Sequence, residues 1–270
     1  MYEDYYFNIE DRDAFLRRIG LKPQEIGPDL ESLKKIMYNH HRYVPFDNLD
    51  VWDKAAEPSL SIPDLFDKIV NRRRGGYCFE INALLESALR TIGFECYSVG
   101  IRITKGRDFL PPVRHRGVVV KTGGKKYFCD AGLGFIFFPE PAGFNEGWVS
   151  FGYKAVCDGG ICRVFVKKED GEEEILVFDD RPALPVDFIN PNFACSQDPK
   201  SGFRTRLSMV IMTPEEYRKN LVSSGTVTEA ETSVITVKDR DGKLLSERTI
   251  DNRTELAKAL LEEFGVDYEI

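Results

Sequence analysis

The sequence predicts an α+β protein, because helical and strand patterns occupy different parts of its 270 residues. Apolar residues recur at helical spacing over most of the first third. The middle third holds short β-rich runs separated by glycine-containing turns, which is typical of a barrel or a small antiparallel sheet. The last third mixes both patterns, so we expect helices and strands together there.

The helices of the first third are predicted at 11–19, 29–43, 61–70 and 79–92. The strands of the middle third are predicted at 94–104, 117–122, 125–130, 149–157, 161–168 and 174–178. A strand at 206–212 follows, then a short helix capped by Thr213 with Pro214 at its first position. A hairpin of 233–239 and 243–249 turns at Asp241–Gly242, and a helix at 252–264 closes the chain.

Composition limits the classes of function. The net charge of −7 argues against nucleic acid or an anionic membrane as the main partner. The N-terminus has no basic region followed by an apolar run, and no segment reaches the roughly 18 consecutive apolar residues of a membrane span. These features predict a cytoplasmic protein.

Six cysteines are present: Cys78, Cys96, Cys129, Cys157, Cys162 and Cys195. None form a C-x-x-C pair, and we expect no disulfide framework in a chain without an export signal. The three histidines show no paired metal-ligand spacing, so no metal site is expected. Most of the thiols should be small core residues.

The stretch from His115 to Gly134 predicts a histidine beside a carboxylate. Gly123–Gly124 is a two-residue hairpin signal between two β-rich runs. If these glycines form the loop, Gly117 lies opposite Asp130, and His115 shares their face of the sheet. A carboxylate in that position fixes the tautomer of an imidazole and stabilises its charged form. A register slip of one residue would separate the two groups.

Cys78 lies where a Gly75–Gly76 turn meets the predicted helix at 79–92. Unpaired N–H groups and the positive end of the helix dipole favour a thiolate there, and a nearby imidazole can lower the thiol pKa further. The alternative is a buried structural thiol. The other five cysteines lie in strand patterns, beside a turn or in a polar loop, so Cys78 is the candidate nucleophile.

These residues resemble a known family. The run Arg74-Gly75-Gly76-Tyr77-Cys78-Phe79-Glu80, followed by Asn82, is similar to the RGGxCxExN signature of the arylamine N-acetyltransferases. His41 to Leu49 resembles the H…PFEN segment of that family, with Asp47 in place of glutamate. The stretch from Tyr127 to Gly134 resembles its DVGFG segment.

The resemblance implies a fold of three parts: a helical bundle at 1–93, a central antiparallel β-barrel at 94–205 and an α/β lid at 206–270. It implies a papain-like triad of Cys78 as nucleophile, His115 as base and acid, and Asp130 as orienting group. The reaction implied is ping-pong transfer from acetyl-CoA to arylamines, hydrazines or N-hydroxyarylamines through an acetyl-cysteine. A monomer or weak homo-oligomer is expected.

The resemblance also indicates contacts with the cosubstrate and the acceptor. The cofactor-binding residues implied are Gly132, Gly134, Ser201 and Phe203. The substrate-binding residues implied are Phe46, Phe79, Leu133 and Phe135. Arg74 and Glu80 are interpreted as structural residues of the signature.

Two departures from the family pattern affect the expected pocket. Leu133 replaces an aromatic residue and is followed by the run GFIFFPEP, and Arg114 precedes His115 where a small hydroxyl residue is common. Three alternatives stay open at this point. They are a macrolactam-forming amide synthase, a CoA-independent thiol hydrolase on the same triad, and a non-catalytic binding protein on the same scaffold.

Overall fold

The computed structural model describes residues 2–224 and 232–269. Helices come first in the chain. They are α1 (Arg12–Arg18), α2 (Leu30–Tyr43), α3 (Leu49–Lys54), α4 (Ile62–Phe66) and α5 (Cys78–Ile92). A two-residue strand, β1 (Phe46–Asp47), lies between α2 and α3. The predicted helix at 61–70 is therefore divided, because α4 continues as a π-helical turn at Asp67–Asn71.

The middle of the chain forms a seven-stranded antiparallel sheet in the order β5-β4-β3-β2-β8-β7-β6. Its strands are β2 (Glu95–Ile103), β3 (His115–Thr122), β4 (Lys125–Cys129), β5 (Ala142–Gly143), β6 (Tyr153–Asp158), β7 (Ile161–Lys168) and β8 (Gly171–Asp179). A bridge between Phe144 and Ala155 joins the two ends of the sheet and nearly closes a barrel. The predicted strands are present, and their order in the sheet follows from tertiary pairing.

A second antiparallel sheet has the order β1-β9-β10-β11-β12. Its remaining strands are β9 (Arg206–Met212), β10 (Arg218–Ser224), β11 (Ser233–Lys238) and β12 (Leu244–Ile250). The helices of this half are α6 (Ile189–Gln197), α7 (Gly202–Thr205) and α8 (Arg253–Phe264). The pairing of Phe46 with Val210 ties the helical region to this sheet.

The short helix predicted after Thr213 is wrong. Met212 pairs with Arg218, so residues 213–217 form the turn between β9 and β10. The Thr213 hydroxyl accepts a hydrogen bond from the Tyr217 N–H at 3.2 Å, and the two backbones are joined at 2.9 Å. Five residues between two paired strands leave no length for a helix, and the sequence analysis did not include β10.

The sequence predicted no disulfide framework, and the structure has one disulfide, between Cys157 and Cys162. They face each other directly across the β6–β7 hairpin, with 4.1 Å between their Cα atoms. Gly159–Gly160 is the loop of this hairpin, so the same arithmetic that placed His115 by Asp130 places these two thiols together. The remaining cysteines are free.

The helix α5 is the structural centre of the molecule. It packs against β2 and β3 of the barrel and against α1 and α4 of the helical region. Its side chains from Cys78 to Leu89 are all buried. Within the described ranges, no helix is both long enough and apolar enough to cross a membrane.

Candidate active site

The β3–β4 hairpin has the register expected from its two glycines. Thr122 faces Lys125, and the pairing continues to Val118 opposite Cys129. His115 begins β3, and Asp130 follows the last residue of β4. The Nε2 atom of His115 lies 2.5 Å from Oδ2 of Asp130, and both residues are buried. The predicted imidazole–carboxylate pair is therefore present.

Asn82 holds the other oxygen of Asp130. Its Nδ2 donates to Oδ1 of Asp130 at 2.9 Å and to the carbonyl oxygen of Arg116 at 2.5 Å. Its Oδ1 accepts from the N–H of Ala131 at 3.0 Å. One fully buried amide thus joins α5, the start of β3 and the segment after β4, using both donors and its acceptor.

Sequence reasoning quoted Asn82 in the signature but gave it no role. The spacing indicates a place near Cys78 for Asn82, because residues four apart lie on one face of a helix and Cys78 is four residues before Asn82. Gly132 completes the set by donating its N–H to Oδ1 of Asp130 at 2.9 Å. The carboxylate therefore has three donors, from His115, Asn82 and Gly132.

Cys78 is the first residue of α5 and is 2% exposed. Burial raises the pKa of its thiol well above the usual range, and Cys195 and Asp130 act in the same direction. Hydrogen bonds from backbone N–H groups of Arg116 and Phe79 lower it. The sequence predicted a lowered pKa for this thiol, so the direction in the structure is the opposite. Since a thiolate is costly in this buried position, ionisation requires a partner that accepts the proton nearby.

His115 is the predicted partner of this thiol. Nε2 is occupied by Asp130, which leaves Nδ1 as the ring nitrogen available to a thiol. The bond from the Arg116 backbone to the Cys78 thiol brings the start of β3, where His115 lies, against the start of α5. Proton transfer from Cys78 to His115 would give an ion pair, and Asp130 would stabilise its positive member.

Buried ion pairs fix the turn before Cys78. The Lys68 ammonium lies 2.6 Å from both Asp50 and Glu80, and Arg74 lies 3.2 Å from Asp50. Glu80 also accepts from the N–H of Tyr77 at 3.1 Å, which satisfies one free donor at the helix start. Arg74 and Glu80 therefore both form ion pairs that hold this turn in place.

Gly75 is required by crowding at this turn. A Cβ there would lie 2.1 Å from the carbonyl oxygen of Pro45 and 2.5 Å from a carboxylate oxygen of Asp47. The neighbouring Gly76 accepts a backbone hydrogen bond from Asp47 at 2.8 Å. The two signature glycines therefore let β1 pass directly beneath the start of α5.

His41 supports the segment after Asp130 from the α2 side. Its Nε2 lies 3.2 Å from the carbonyl oxygen of Asp130 and 3.3 Å from the backbone nitrogen of Phe138. Burial lowers its pKa to about 4, so the ring is neutral at pH 7. A neutral imidazole here links α2 to the run GFIFFPEP.

Of the predicted cofactor residues, Gly132 lies against Cys78, and all four have protein contacts of their own. A Cβ on Gly132 would lie 2.7 Å from Cα of Cys78, and one on Gly134 would lie 2.5 Å from the Phe46 ring. The Ser201 hydroxyl donates to the carbonyl oxygen of Cys195 at 2.5 Å and caps α7. Phe203 packs 5.4 Å from the Tyr77 ring. Their contact with a cosubstrate stays a prediction.

The predicted substrate residues differ in accessibility. Phe79 is fully buried between Tyr77 and Phe188, and Leu133 is buried in the barrel core. Phe135 is partly exposed, with the Lys105 ammonium 4.8 Å from its ring centroid. Phe46 is 7% exposed beside Phe203. Phe135 is thus the residue of this set with an accessible ring, and the role of all four stays a prediction.

Among the described residues, no cluster of three or more His, Cys, Asp or Glu side chains is arranged to hold a metal ion.

Comparisons with known proteins identify a family for this chain. A family model described as N-acetyltransferase matches residues 29–270. The arylamine N-acetyltransferase of Mycolicibacterium smegmatis is 31% identical over 78% of this chain and 79% of its own length. Human arylamine N-acetyltransferase 1 is 38% identical over 126 residues, and this match spans less than half, 43%, of the human protein.

Solved structures share the fold over nearly the whole chain. The arylamine N-acetyltransferase of Salmonella typhimurium gives a TM-score of 0.86 at 25% identity, covering 97% of this chain and 93% of its own. The Mycobacterium marinum enzyme in complex with CoA gives 0.79 at 23% identity, covering 95% and 93%. The family model, the full-length relatives and the shared fold lead to one conclusion: this chain belongs to the arylamine N-acetyltransferase family of acyltransferases.

Proposed function

We propose that this protein transfers an acetyl group from acetyl-CoA to arylamines, arylhydrazines and N-hydroxyarylamines by a ping-pong mechanism. The observation that carries the proposal is the 2.5 Å bond between His115 and Asp130 at the point where β3 meets Cys78. A buried thiol beside an imidazole that a carboxylate orients is the arrangement of papain-like nucleophiles.

In the first half-reaction, Nδ1 of His115 takes the proton of Cys78 as sulfur attacks the thioester carbonyl of acetyl-CoA. The tetrahedral intermediate collapses, the thiolate of CoA leaves, and His115 returns the proton to it. Asp130 keeps its charge throughout and stabilises the imidazolium. The products are acetyl-Cys78 and free CoA. The CoA-bound M. marinum structure of the same fold supports acetyl-CoA as the donor.

In the second half-reaction, the amine nitrogen attacks the acetyl carbonyl of acetyl-Cys78. His115 accepts the proton that the nitrogen loses and gives it back to the sulfur. The reaction regenerates the thiol and releases the N-acetylated product. For an N-hydroxyarylamine, the hydroxyl oxygen takes the place of the nitrogen, in line with the name of a Salmonella typhimurium relative that is 29% identical.

The burial of the thiol favours acyl transfer over hydrolysis. Cys78 is 2% exposed and His115 is 1% exposed, so bulk water has little access to an acetylated sulfur. An acyl-enzyme shielded in this way persists until an acceptor enters. The site therefore suits a transferase with two half-reactions.

Intact-mass spectrometry after mixing with acetyl-CoA tests the proposal. We expect a gain of one acetyl group, which is lost when an arylamine is added and N-acetylarylamine appears. Cys78→Ser should abolish both steps, whereas Cys96→Ser, at a thiol on β2, should leave them unchanged. An acetylated Cys78→Ser variant would overturn the assignment of the nucleophile. Acetyl-CoA cleavage without any amine product would favour the thiol hydrolase, and ring closure of a long-chain amino thioester without acetylation of arylamines would favour the amide synthase.

A further inference from the structure

One residue of β3, Arg116, contacts α5 at three successive turns of the helix. Its backbone N–H is hydrogen-bonded to the Cys78 thiol, and its carbonyl oxygen accepts from Nδ2 of Asn82 at 2.5 Å. Its side chain extends to Glu86, where Nη2 donates to Oε2 at 2.8 Å. Positions 78, 82 and 86 are four residues apart, so they lie along one face of the helix. Arg116 therefore attaches the start of β3 to α5 at three points, directly beside His115.

The side-chain end of this attachment is a closed hydrogen-bond network. Nε of Arg116 donates to Oγ of Ser98 at 2.7 Å, and the Ser98 hydroxyl donates to Oε2 of Glu86 at 2.5 Å. The centroid of the Phe188 ring lies 4.5 Å from Cζ of Arg116. Arg116, Glu86 and Ser98 are 2%, 7% and 0% exposed, so water does not compete for these groups. Because Ser98 belongs to β2, the network joins α5, β2 and β3.

The ion pair in this network is not explained by stability. Burial lowers the pKa of Arg116 and the Glu86 carboxylate opposes that shift, so the guanidinium keeps its charge at neutral pH. A buried ion pair is often no more stabilising than two apolar side chains of similar size, although the loss of one partner alone is strongly destabilising. What the pair supplies at this place is a fixed geometry between α5 and β3.

His115 depends on the same attachment through its backbone. The N–H that contacts the Cys78 thiol belongs to the peptide group between His115 and Arg116, and that peptide group is planar and rigid. Side chains alternate along a strand, so Arg116 reaches α5 on one face while His115 reaches Asp130 on the other. A displacement of Arg116 would therefore move the donor at the thiol and the imidazole together.

We propose that Glu86 and Arg116 are positioning residues for acetyl transfer, which hold the peptide between His115 and Arg116 against Cys78. They act through the backbone of β3 and not through contact with the acetyl group. Their network sets the distance from the Cys78 sulfur to the N–H that stabilises its thiolate and to the imidazole that accepts its proton. The inference rests on the acetyl transfer proposed above and names the residues that position its nucleophile and its base.

The test uses a variant that removes the ion pair without leaving a buried charge. Glu86→Gln/Arg116→Met keeps side chains of similar size, so thermal melts should show a folded protein of little changed stability. In this folded variant, kcat for arylamine acetylation should fall by about 10- to 100-fold with KM within about twofold, because the reacting groups are misplaced. Lys154→Met/Glu172→Gln, at an ion pair between β6 and β8, is the matched control and should keep both values.

A milder variant covers the case in which the double variant does not fold. Ser98→Ala keeps the ion pair and removes one hydrogen bond from the guanidinium, so kcat should fall by about 3- to 10-fold. If the double variant is unfolded and Ser98→Ala keeps the kcat of the unsubstituted protein, the proposal is wrong.

Alkylation of Cys78 by iodoacetamide measures the positioning without acetyl-CoA. Its rate follows the thiolate, and mass spectrometry of the Cys78 peptide reads it across a range of pH. The pH midpoint should rise by about one unit in Glu86→Gln/Arg116→Met, which corresponds to a tenfold loss of thiolate. A change in stability alone would not move this midpoint.

The outcomes separate this inference from the proposed function. A folded double variant that keeps either the kcat or the alkylation midpoint of the unsubstituted protein overturns the positioning role, and so does an equal loss in the Lys154→Met/Glu172→Gln control. If the unsubstituted protein acetylates no arylamine but the midpoint of Cys78 rises in the double variant, the proposed function fails and the positioning role stands.

Discussion

Two hairpins of the barrel are built on the same local rule and have different outcomes. The β3–β4 hairpin turns at Gly123–Gly124 and the β6–β7 hairpin turns at Gly159–Gly160, with all four glycines at positive φ. Such two-residue turns need positive φ at both positions and fix which residues face each other. One hairpin brings His115 to Asp130, and the other brings Cys157 to Cys162.

The two hairpins also differ in their surroundings. The first lies against α5, which brings Cys78 and Asn82 to its open end and keeps His115 and Asp130 buried. The second ends in solvent, with Asp158 and both loop glycines exposed. Register alone therefore sets a pair of facing residues. The identity of the two side chains decides what the pair can do: two thiols form a disulfide, whereas an imidazole and a carboxylate form a hydrogen bond.

The largest effect on activity is expected for Asp130, the carboxylate of the first hairpin. Asp130→Asn should lower kcat/KM for arylamine acetylation by roughly 10³- to 10⁴-fold, because an amide does not stabilise the imidazolium of His115. Steady-state kinetics and the rate of Cys78 acetylation measure this loss. Asp158→Asn, at the exposed turn of the second hairpin, is the control and should be neutral. A loss of less than tenfold in Asp130→Asn would contradict the role of the carboxylate.

Asn82→Ala should have the next largest effect, because it leaves the Arg116 carbonyl and the Ala131 N–H without their buried partner. We expect about 2–6 kcal/mol of lost stability, from two unsatisfied groups at roughly 1–3 kcal/mol each. We also expect a fall of about 10- to 100-fold in kcat with KM little changed, since Asp130 loses one of its donors. Asn71→Ala, at an exposed asparagine, serves as the control. A stability loss without any fall in kcat in the folded variant would limit Asn82 to a purely structural role.

The pH dependence of stability should report His41, which supports the first hairpin. Its pKa is about 4 in the folded protein and 6.5 when unperturbed, so the unfolded chain binds more protons between these values. The free energy of unfolding should therefore rise with pH from about 4 to 6.5, with His41 contributing about 3 kcal/mol. Buried His40, whose pKa is also lowered, adds in the same direction.

Denaturant titrations across this pH range measure the slope. His41→Gln should flatten it by about one bound proton, and the Cys157→Ser/Cys162→Ser variant should keep it. An unchanged slope in His41→Gln would show that the ring does not titrate with folding.

The smallest effect is expected in the second hairpin. Cys157→Ser/Cys162→Ser should lower the free energy of unfolding by about 2 kcal/mol or less, because the disulfide closes a very short loop. Acetyl transfer should be unaffected, since this clip lies in no contact with Cys78, His115 or Asp130 that the structure records over the described residues. Thermal melts with and without a reductant test the stability change. If activity falls in parallel with reduction of the disulfide, the second hairpin affects catalysis and this prediction is wrong.

Much of this site was predictable because it depends on local rules. Two glycines set the register that joins His115 to Asp130, and a glycine turn before an apolar helix placed Cys78 at a helix start. The same arithmetic applied to Gly159–Gly160 would have found the disulfide. This disulfide follows from the hairpin register and not from the class of protein that the composition predicts.

The sequence by itself determined the register of the β3–β4 hairpin, the start of α5 and the residues of the family signature, since each follows from interactions within a few positions. Only the tertiary structure decided the strand order of the barrel, the pairing of β1 with β9 and the three hydrogen bonds of Asn82. It also decided the direction of the Cys78 pKa, because desolvation depends on every element packed around the sulfur. These features arise from contacts between distant segments, and no local pattern carries them.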